Sequence, residues 1–488
     1  MRRIARVAFL ADSFHEVNGA ARTCRELTGF AKRQAYPFFS IRFARNESFA
    51  SDGPVWTLEL KRSPLSLRVD PDLWFDLAFC RFRRKLERRL NQFSPDIIHV
   101  MAPGELGVLG AIAAWRMRIP LVAAWHTNIH EYAVRRFPFG SWRIRSFVQE
   151  FVLRQILHLY RRGAVLLAPT RELTEMLQLR TGRPAFLMKR GVDCAAFSPE
   201  HRRRSDEKVV IGYVGRLMPE KGVRFFARLD LHLKRAGVRD YRIFIAGWGS
   251  EECWLRDHLP DAEFRGILDP EALGRAYADM DIFVFPSRTD TFGNVVQEAL
   301  ASGVPAVVTD SGGPRTIVEH GVTGAVASSD EEMCAQITNL ILSPEERKKL
   351  GVAGRLSMLT RSWDDVFHGV YRHMPRVSNL RPALLSKLQE RNFFRTLADV
   401  NLRVGQPGVN RTTARESIRI CLQYGLPTSL EELSIVPSRP RSVPDQRQFI
   451  RGVISQPARE FNLPRAGPGG DLQRVFARPL SVPVFFLA

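Results

Sequence analysis

Short apolar runs rich in β-branched residues alternate with longer amphipathic stretches through about residue 375 of the chain. A short apolar run bounded by turn signals reads as a buried strand, and a 3.6-residue period reads as a helix with one buried face. Strands are predicted at Arg6–Leu10, Phe38–Arg42, Val55–Leu60, Ile97–Met101, Leu121–Trp125 and Ala164–Ala168. After Arg190 a second series follows at Val209–Val214, Arg242–Ala246, Glu263–Phe264, Ile282–Phe285 and Ala306–Thr309. Helices are predicted between them, among others at Ala20–Arg33, Pro71–Gln92, Gly107–Arg118, Trp142–Arg162 and Glu271–Ala278. Alternating β and α units build parallel sheets covered by helices on both faces. The fold class is therefore α/β. Two series predict two Rossmann-like domains, residues 1–187 and 188–375, with ligand held at the carboxyl ends of the strands. The join falls near residues 185–205, where SPEHRRRSDEK is polar and turn-rich. Residues 376–488 break the pattern. Leu384–Val400 and Thr413–Gln423 have helical period, but PSRPRSVPDQRQF and LPRAGPGG read as unpacked, so this part is expected to be a basic, partly disordered Arg/Pro-rich extension.

The whole chain has 488 residues, which suits two domains. Its 45% hydrophobic and 25% charged residues are those of a globular protein. Lys+Arg number 72 against 51 Asp+Glu, a formal +21, and such an excess points to a polyanionic neighbour: nucleic acid, an anionic membrane surface or a phosphorylated substrate. The charge is spread along the chain without a nucleic-acid-binding motif, so no nucleic acid partner is expected. Cys24, Cys80, Cys194, Cys253, Cys334 and Cys421 show no paired spacing and read as reduced thiols of a cytoplasmic protein. The opening MRRIARVAFLADSF has basic residues before an apolar run, as a signal peptide does. Arg6 breaks the run and Asp12 ends it, so a first strand is the expectation. No window is apolar for long enough to span a membrane.

The most informative stretch runs from Phe283 to Gly303. A buried strand ends at Pro286, a loop carries Asp290, and Phe292, Gly293 and Asn294 open a helix that contains Glu298. The free N–H groups of that helix form an anion site, and Glu298 lies about 7 Å farther along the axis. One carboxylate beside the anion and one a turn deeper suit a ligand with hydroxyls on both sides of a phosphate. A second candidate is Gly215-Arg-Leu-Met-Pro-Glu-Lys-Gly222, directly after a strand, where the forked donor of Arg216 and the point charge of Lys221 suit a diphosphate.

Together these residues resemble the retaining nucleotide-sugar glycosyltransferases of family 4, whose GT-B fold sets two Rossmann-like domains across a cleft. The family's E-x7-E pair appears as Asp290-x7-Glu298, with Asp in the first position. Further matches are Arg190-Gly-Val-Asp193 with Phe197 and Pro199, Gly312-Gly-Pro314 before Glu319 and Gly321, Asn18-Gly19, Asp96-Ile-Ile-His99 and His126-Thr-Asn-Ile-His130. The resemblance covers roughly residues 5–375. It implies that Glu298 accepts from the ribose hydroxyls, Asp290 holds the transferred sugar, and Arg216 and Lys221 stabilise the leaving diphosphate. Phe292, Gly293, Asn294 and Gly215 would line the donor, Gly19 would let the N-terminal loop approach the phosphates, and His126 would face the sugar. His15, His99 and His130 are expected to be structural or peripheral.

The expected reaction moves a hexose, mannose or glucose, from GDP-mannose or UDP-glucose to a lipid or glycan hydroxyl, with retention of configuration. Neither a cofactor nor a metal is expected, since no D-x-D or His/carboxylate cluster is present. HTN-x-x-EYA at His126–Ala133 and RTDTFG at Arg288–Gly293 look like bacterial enzymes acting on lipid acceptors. With the basic, aromatic clusters Arg81–Arg89 and Arg135–Arg145, they point to peripheral attachment on the inner, anionic face of the cell membrane. The competing expectations are a GT-B-like sugar-nucleotide epimerase or phosphorylase, and a non-enzymatic basic binder of nucleic acid or membrane. A phosphorylase would need a pyridoxal-phosphate lysine, and no such site is recognisable.

Overall fold

The computed structural model describes residues 4–16, 18–51, 53–70, 73–128 and 142–378. The expected extension from residue 376 therefore lies, past Ser378, outside the described residues, as do His130 and most of the Arg135–Arg145 cluster. Strands in the first half are β1 (Val7–Ala11), β2 (Phe38–Ala44), β3 (Ser48–Ala50), β4 (Val55–Lys61), β5 (Ser66–Asp70), β6 (Leu73–Asp76), β7 (Ile97–Val100), β8 (Leu121–Ala124), β9 (Val165–Ala168) and β10 (Ala185–Leu187). The second half contributes β11 (Val209–Val214), β12 (Tyr241–Ala246), β13 (Glu263–Phe264), β14 (Ile282–Phe285), β15 (Ala306–Thr309) and β16 (Gly324–Ala327). Helices of the first half are α1 (Gly19–Arg33), α2 (Arg83–Phe93), α3 (Glu105–Met117), α4 (Trp142–Tyr160) and α5 (Arg171–Thr181). Those that follow are α6 (Phe225–Arg235), α7 (Glu252–His258), α8 (Pro270–Ala278), α9 (Asn294–Ala301), α10 (Asp330–Leu342), α11 (Pro344–Leu359) and α12 (Trp363–Ser378).

Two sheets result. The eight-stranded sheet has the order β10-β9-β8-β7-β1-β2-β4-β3 and the six-stranded sheet the order β13-β12-β11-β14-β15-β16. Pairing is parallel throughout both except for the antiparallel β3–β4 edge. Central strands such as VAFLA, IIHV and IFVF are buried at every position, as parallel strands with helices on both faces must be. The two Rossmann-like series expected from the sequence are thus present.

One predicted helix is present only in its second half. From Leu73 the chain instead forms β6, paired antiparallel with β5, then a turn of 3-10 helix at Phe79–Phe82, and only then α2. The cause is Asp76. Its carboxylate accepts from Ser63 N (2.7 Å), Ala78 N (2.9 Å) and Arg81 Nη1 (2.7 Å), and the donors tie it into a turn. Burial pushes this carboxyl up, but the bonds from Ser63, Arg81 and Ala78 prevail and hold it at about 2.

The last described helix leaves its own sheet. Trp363, Phe367, Val370 and Tyr371 of α12 join the core on the α1 side of the first sheet. Phe367 and Tyr371 lie 5.5 and 5.7 Å from Phe30, ring to ring. To reach it, the chain runs beside the connection that leaves β10: Val192 N donates to Arg361 O at 2.9 Å. At Gly191 a Cβ would stand 2.3 Å from Trp363 N, so only glycine lets the two segments lie this close. Phe367→Ala should accordingly destabilise the first half by about 3–5 kcal/mol. Urea unfolding followed by the near-ultraviolet signal checks this, and an unchanged midpoint would show that α12 is not part of that core.

Candidate functional site

Each sheet reverses its strand order once near the middle, and a reversal leaves a crevice at the carboxyl ends of the two diverging strands. In the second sheet the reversal lies between β11 and β14. Gly215, Arg216 and Lys221 follow β11, and Asp290 to Gly293 follow β14. The two motifs separated in sequence are therefore brought to one crevice. In the first sheet the reversal lies between β1 and β7, with Gly19 after β1 and His126 after β8. These loops meet those of the second half. A Cβ on Gly19 would lie 3.1 Å from Asn294 Nδ2, and Thr291 Oγ1 donates to His126 O at 2.7 Å.

The helix opening is as the sequence expects. Gly293 caps α9 with φ +98°, a conformation that favours glycine, and a Cβ there would also press on Pro314 Cγ at 3.0 Å. Phe292 is buried behind it. The first N–H groups of α9 face the loop that carries Asp290. Lys221 Nζ bonds both oxygens of Asp290, at 2.6 and 2.8 Å. The cation expected on the diphosphate and the carboxylate expected on the sugar are thus paired with each other here. Arg216 Nη2 stands 3.7 Å from Glu220 Oε1.

Glu298 is 5% exposed, and its two oxygens are divided between the halves. Tyr277 Oη of α8 donates to Oε2 at 2.8 Å, and Arg22 of α1 forms an ion pair with Oε1. Burial, and then the Glu298 charge, push the Tyr277 phenol well above its usual range, so it stays a donor. Arg22 also lies over the Phe197 ring at 5.2 Å. Neither Arg22 nor Tyr277 is among the residues expected from the sequence. Arg22 has a signal there nonetheless: it is a cation in the first turn of a helix, where the helix dipole disfavours one.

His126 is buried, and that burial, followed by the Arg190 charge, pushes its pKa well below the usual value. Arg190 Nη2 contacts His126 Nδ1, and burial lowers the guanidinium to about 10. His99, close enough to act on the charge of His126, is buried edge-on against Phe9 at 5.2 Å, and burial brings it down to about 3. His15 stands 3.7 Å from Glu59 and is half exposed. Among the described residues no three His, Cys, Asp or Glu side chains gather as a metal-holding group, and no helix is long and apolar enough to cross a membrane.

Comparison with known proteins gives two family matches: residues 208–343 match glycosyl transferases group 1, and residues 17–196 match glycosyltransferase family 4. The chain is 35% identical over 302 residues to the GDP-mannose-dependent alpha-mannosyltransferase of Mycolicibacterium smegmatis, covering 60% of this chain and 76% of the relative. It is 31% identical over 395 residues to the protein of the same name from Mycobacterium tuberculosis, covering 77% and 98%. Among solved structures, sucrose-phosphate synthase from Thermosynechococcus elongatus superposes with a TM-score of 0.58 at 16% identity, over 76% of this chain and 99% of that one. That likeness identifies the fold as GT-B. The named relatives are transferases, which favours transfer over the epimerase, phosphorylase and binder expectations.

Two outcomes follow from this geometry. Arg22→Met leaves the buried Glu298 carboxylate with Tyr277 as its remaining donor and should lower stability by about 1–3 kcal/mol. A thermal or urea midpoint equal to that of the wild type would count against the bridge. His99 is held neutral in the fold but protonates below about pH 6.5 when unfolded. The unfolded chain then binds more protons, so stability is lost as pH falls. Relative to His99→Phe, the wild type should lose about 1.4 kcal/mol per pH unit between pH 6 and 4. Parallel stability–pH curves for the two proteins would contradict this.

Proposed function

The chain belongs to the family 4, group 1 glycosyltransferases, and on that footing we propose that it moves a mannosyl residue from GDP-mannose to a hydroxyl of a lipid acceptor. The observation that carries the reading is the convergence, at one reversal of strand order, of Arg216, Lys221, Asp290 and the N-terminus of α9, with Glu298 a turn deeper. The preference for GDP-mannose over UDP-glucose rests on the names of the two relatives.

The chemistry fits these groups. As the glycosyl–phosphate bond breaks, positive charge grows on the sugar ring and negative charge on the departing diphosphate. The N–H groups of α9 are fixed by the helix and lower the barrier without reorganising, while Arg216 and Lys221 add positive charge at the diphosphate, Lys221 after exchanging Asp290 for phosphate. They supply the electrostatic stabilisation that a metal gives in other transferases, so the reaction is proposed to be metal-independent. Asp290, once Lys221 turns to phosphate, is free to accept from sugar hydroxyls. Attack by the acceptor on the face the diphosphate leaves, with that phosphate taking the acceptor's proton, gives retention.

A lipid acceptor and attachment to the inner face of the cell membrane are supported by two surfaces of the first half. Ile144, Phe147 and Phe151 of α4 are 56, 72 and 47% exposed and share one side of the helix, with the two phenylalanine rings stacked. Arg81, Arg83, Arg84 and Arg88 are exposed along the 3-10 turn and α2. An aromatic ridge and a basic strip suit an anionic leaflet.

The test of the donor is thermal shift against GDP-, UDP- and ADP-sugars with EDTA present. GDP-mannose at about 100 times its dissociation constant should add about 2.7 kcal/mol of stability; no shift with any sugar nucleotide would remove the reading. Glu298→Gln should weaken donor binding roughly 10- to 100-fold. Lys221→Ala should lower kcat by about 10²–10³-fold. If both variants keep wild-type kinetics with the active donor, the assigned site is wrong. Flotation with anionic liposomes at low salt should carry the protein up, and Phe147→Ser with Phe151→Ser should leave it behind.

A further inference from the structure

Among the described residues, His126 Nε2, Arg190 Nη1 and Gln297 Oε1 are buried side-chain polar atoms without a hydrogen-bond partner, as is Nε2 of nearby His99. His126, Arg190 and Gln297 are 7, 3 and 1% exposed. Leaving such groups unpaired costs about 1–3 kcal/mol each, so a cluster of them needs an explanation, and a polar ligand supplies one. These three residues are linked to one another. Arg190 Nη2 meets His126 Nδ1, and Arg190 O accepts from Gln297 Nε2 at 3.2 Å. The cluster also adjoins the loop after β14, because His126 O accepts from Thr291 Oγ1 and the Arg190 guanidinium faces the Phe292 ring at 6.0 Å.

The contact between Arg190 and His126 has one chemical solution. A guanidinium carries donors and no acceptor, so Nδ1 must present its lone pair. The ring is neutral in this enclosure and beside this charge, which leaves one proton, and that proton is on Nε2. We propose that Arg190 is a positioning residue that fixes His126 in the Nε2–H tautomer and so makes the ring a hydrogen-bond donor to a hydroxyl oxygen of the transferred sugar. Arg190 Nη1, a donor, and Gln297 Oε1, an acceptor, are unpartnered among the described residues and are the types of group that hydroxyls of a sugar would pair with. The identity of the oxygen rests on the glycosyl-transfer reading; the tautomer does not.

The experiment combines a spectrum and a kinetic cycle. In the ligand-free full chain labelled with ¹⁵N-histidine, His126 should show a protonated Nε2 and an unprotonated Nδ1. Arg190→Lys, which keeps a donor, should preserve that signature. Arg190→Met should lose the single tautomer and let the ring titrate closer to the ordinary range. In transfer assays Arg190→Met should lower kcat about tenfold or more, with the affinity for free nucleoside diphosphate within twofold of the wild type. In a His126→Phe background the same substitution should lower kcat no further, whereas a merely structural arginine would lower it in both. A protonated Nδ1 in the wild type overturns the proposal without any variant. So does an unchanged tautomer in Arg190→Met, or full additivity of the two substitutions. If the wild type transfers no sugar from any nucleotide donor, the function reading falls and takes the sugar oxygen with it, while the spectrum still judges the tautomer.

Discussion

Everything at the site depends on parallel pairing in a sheet whose strand order turns back once. Parallel strands joined by right-handed crossovers place every strand's carboxyl end on one edge. On either side of a reversal the crossovers go to opposite faces, so the loops after β11 and β14 part and leave a gap between them. Residues as distant in sequence as Lys221 and Asp290 become hydrogen-bonded neighbours for that reason. The first sheet obeys the same rule, and the contact of Gly19 with Asn294 joins the two edges.

Charge at this gap is arranged in internal pairs. Lys221 holds Asp290, and Arg22 holds Glu298 across the halves. A buried ion without a partner is strongly destabilising, so an empty site made of such groups must neutralise itself. The same pairs keep each group near the place where a diphosphate or a hydroxyl would receive it. On the proposed roles of these residues, binding a sugar nucleotide would be an exchange of partners more than a fresh desolvation of charge.

Legibility in the sequence followed the length scale of the force involved. Buried strands were readable nearly to the residue, as at Val209–Val214 and Ile282–Phe285, because burial on both faces writes a continuous apolar run. The cap of α9 was readable because Gly293 must take a positive φ. Before Arg83 the helical period predicted from Pro71 misled, since the carboxylate of Asp76 gathers donors from Ser63, Ala78 and Arg81 and a periodicity cannot register that convergence. Short edge strands such as Ala185–Leu187 carry too few residues to stand out. Arg22, Tyr277 and the function of Arg190 were missed because each acts on a partner far away in sequence. The expectation that Glu298 and Asp290 stand ready for hydroxyls did not include the side chains that hold them.

The return of α12 to the first half has a meaning for how the protein is made. A chain leaving the ribosome completes the strands of its first sheet long before Trp363, Phe367 and Tyr371 exist. Until they are synthesised, the face of α1 around Phe30 is without its cover. The first half therefore waits, with an apolar surface open, through the synthesis of the whole second sheet. The order of translation makes the second half, once formed, the carrier of the last piece of the first. Final closure of the α1 core thus reports that both sheets have been built.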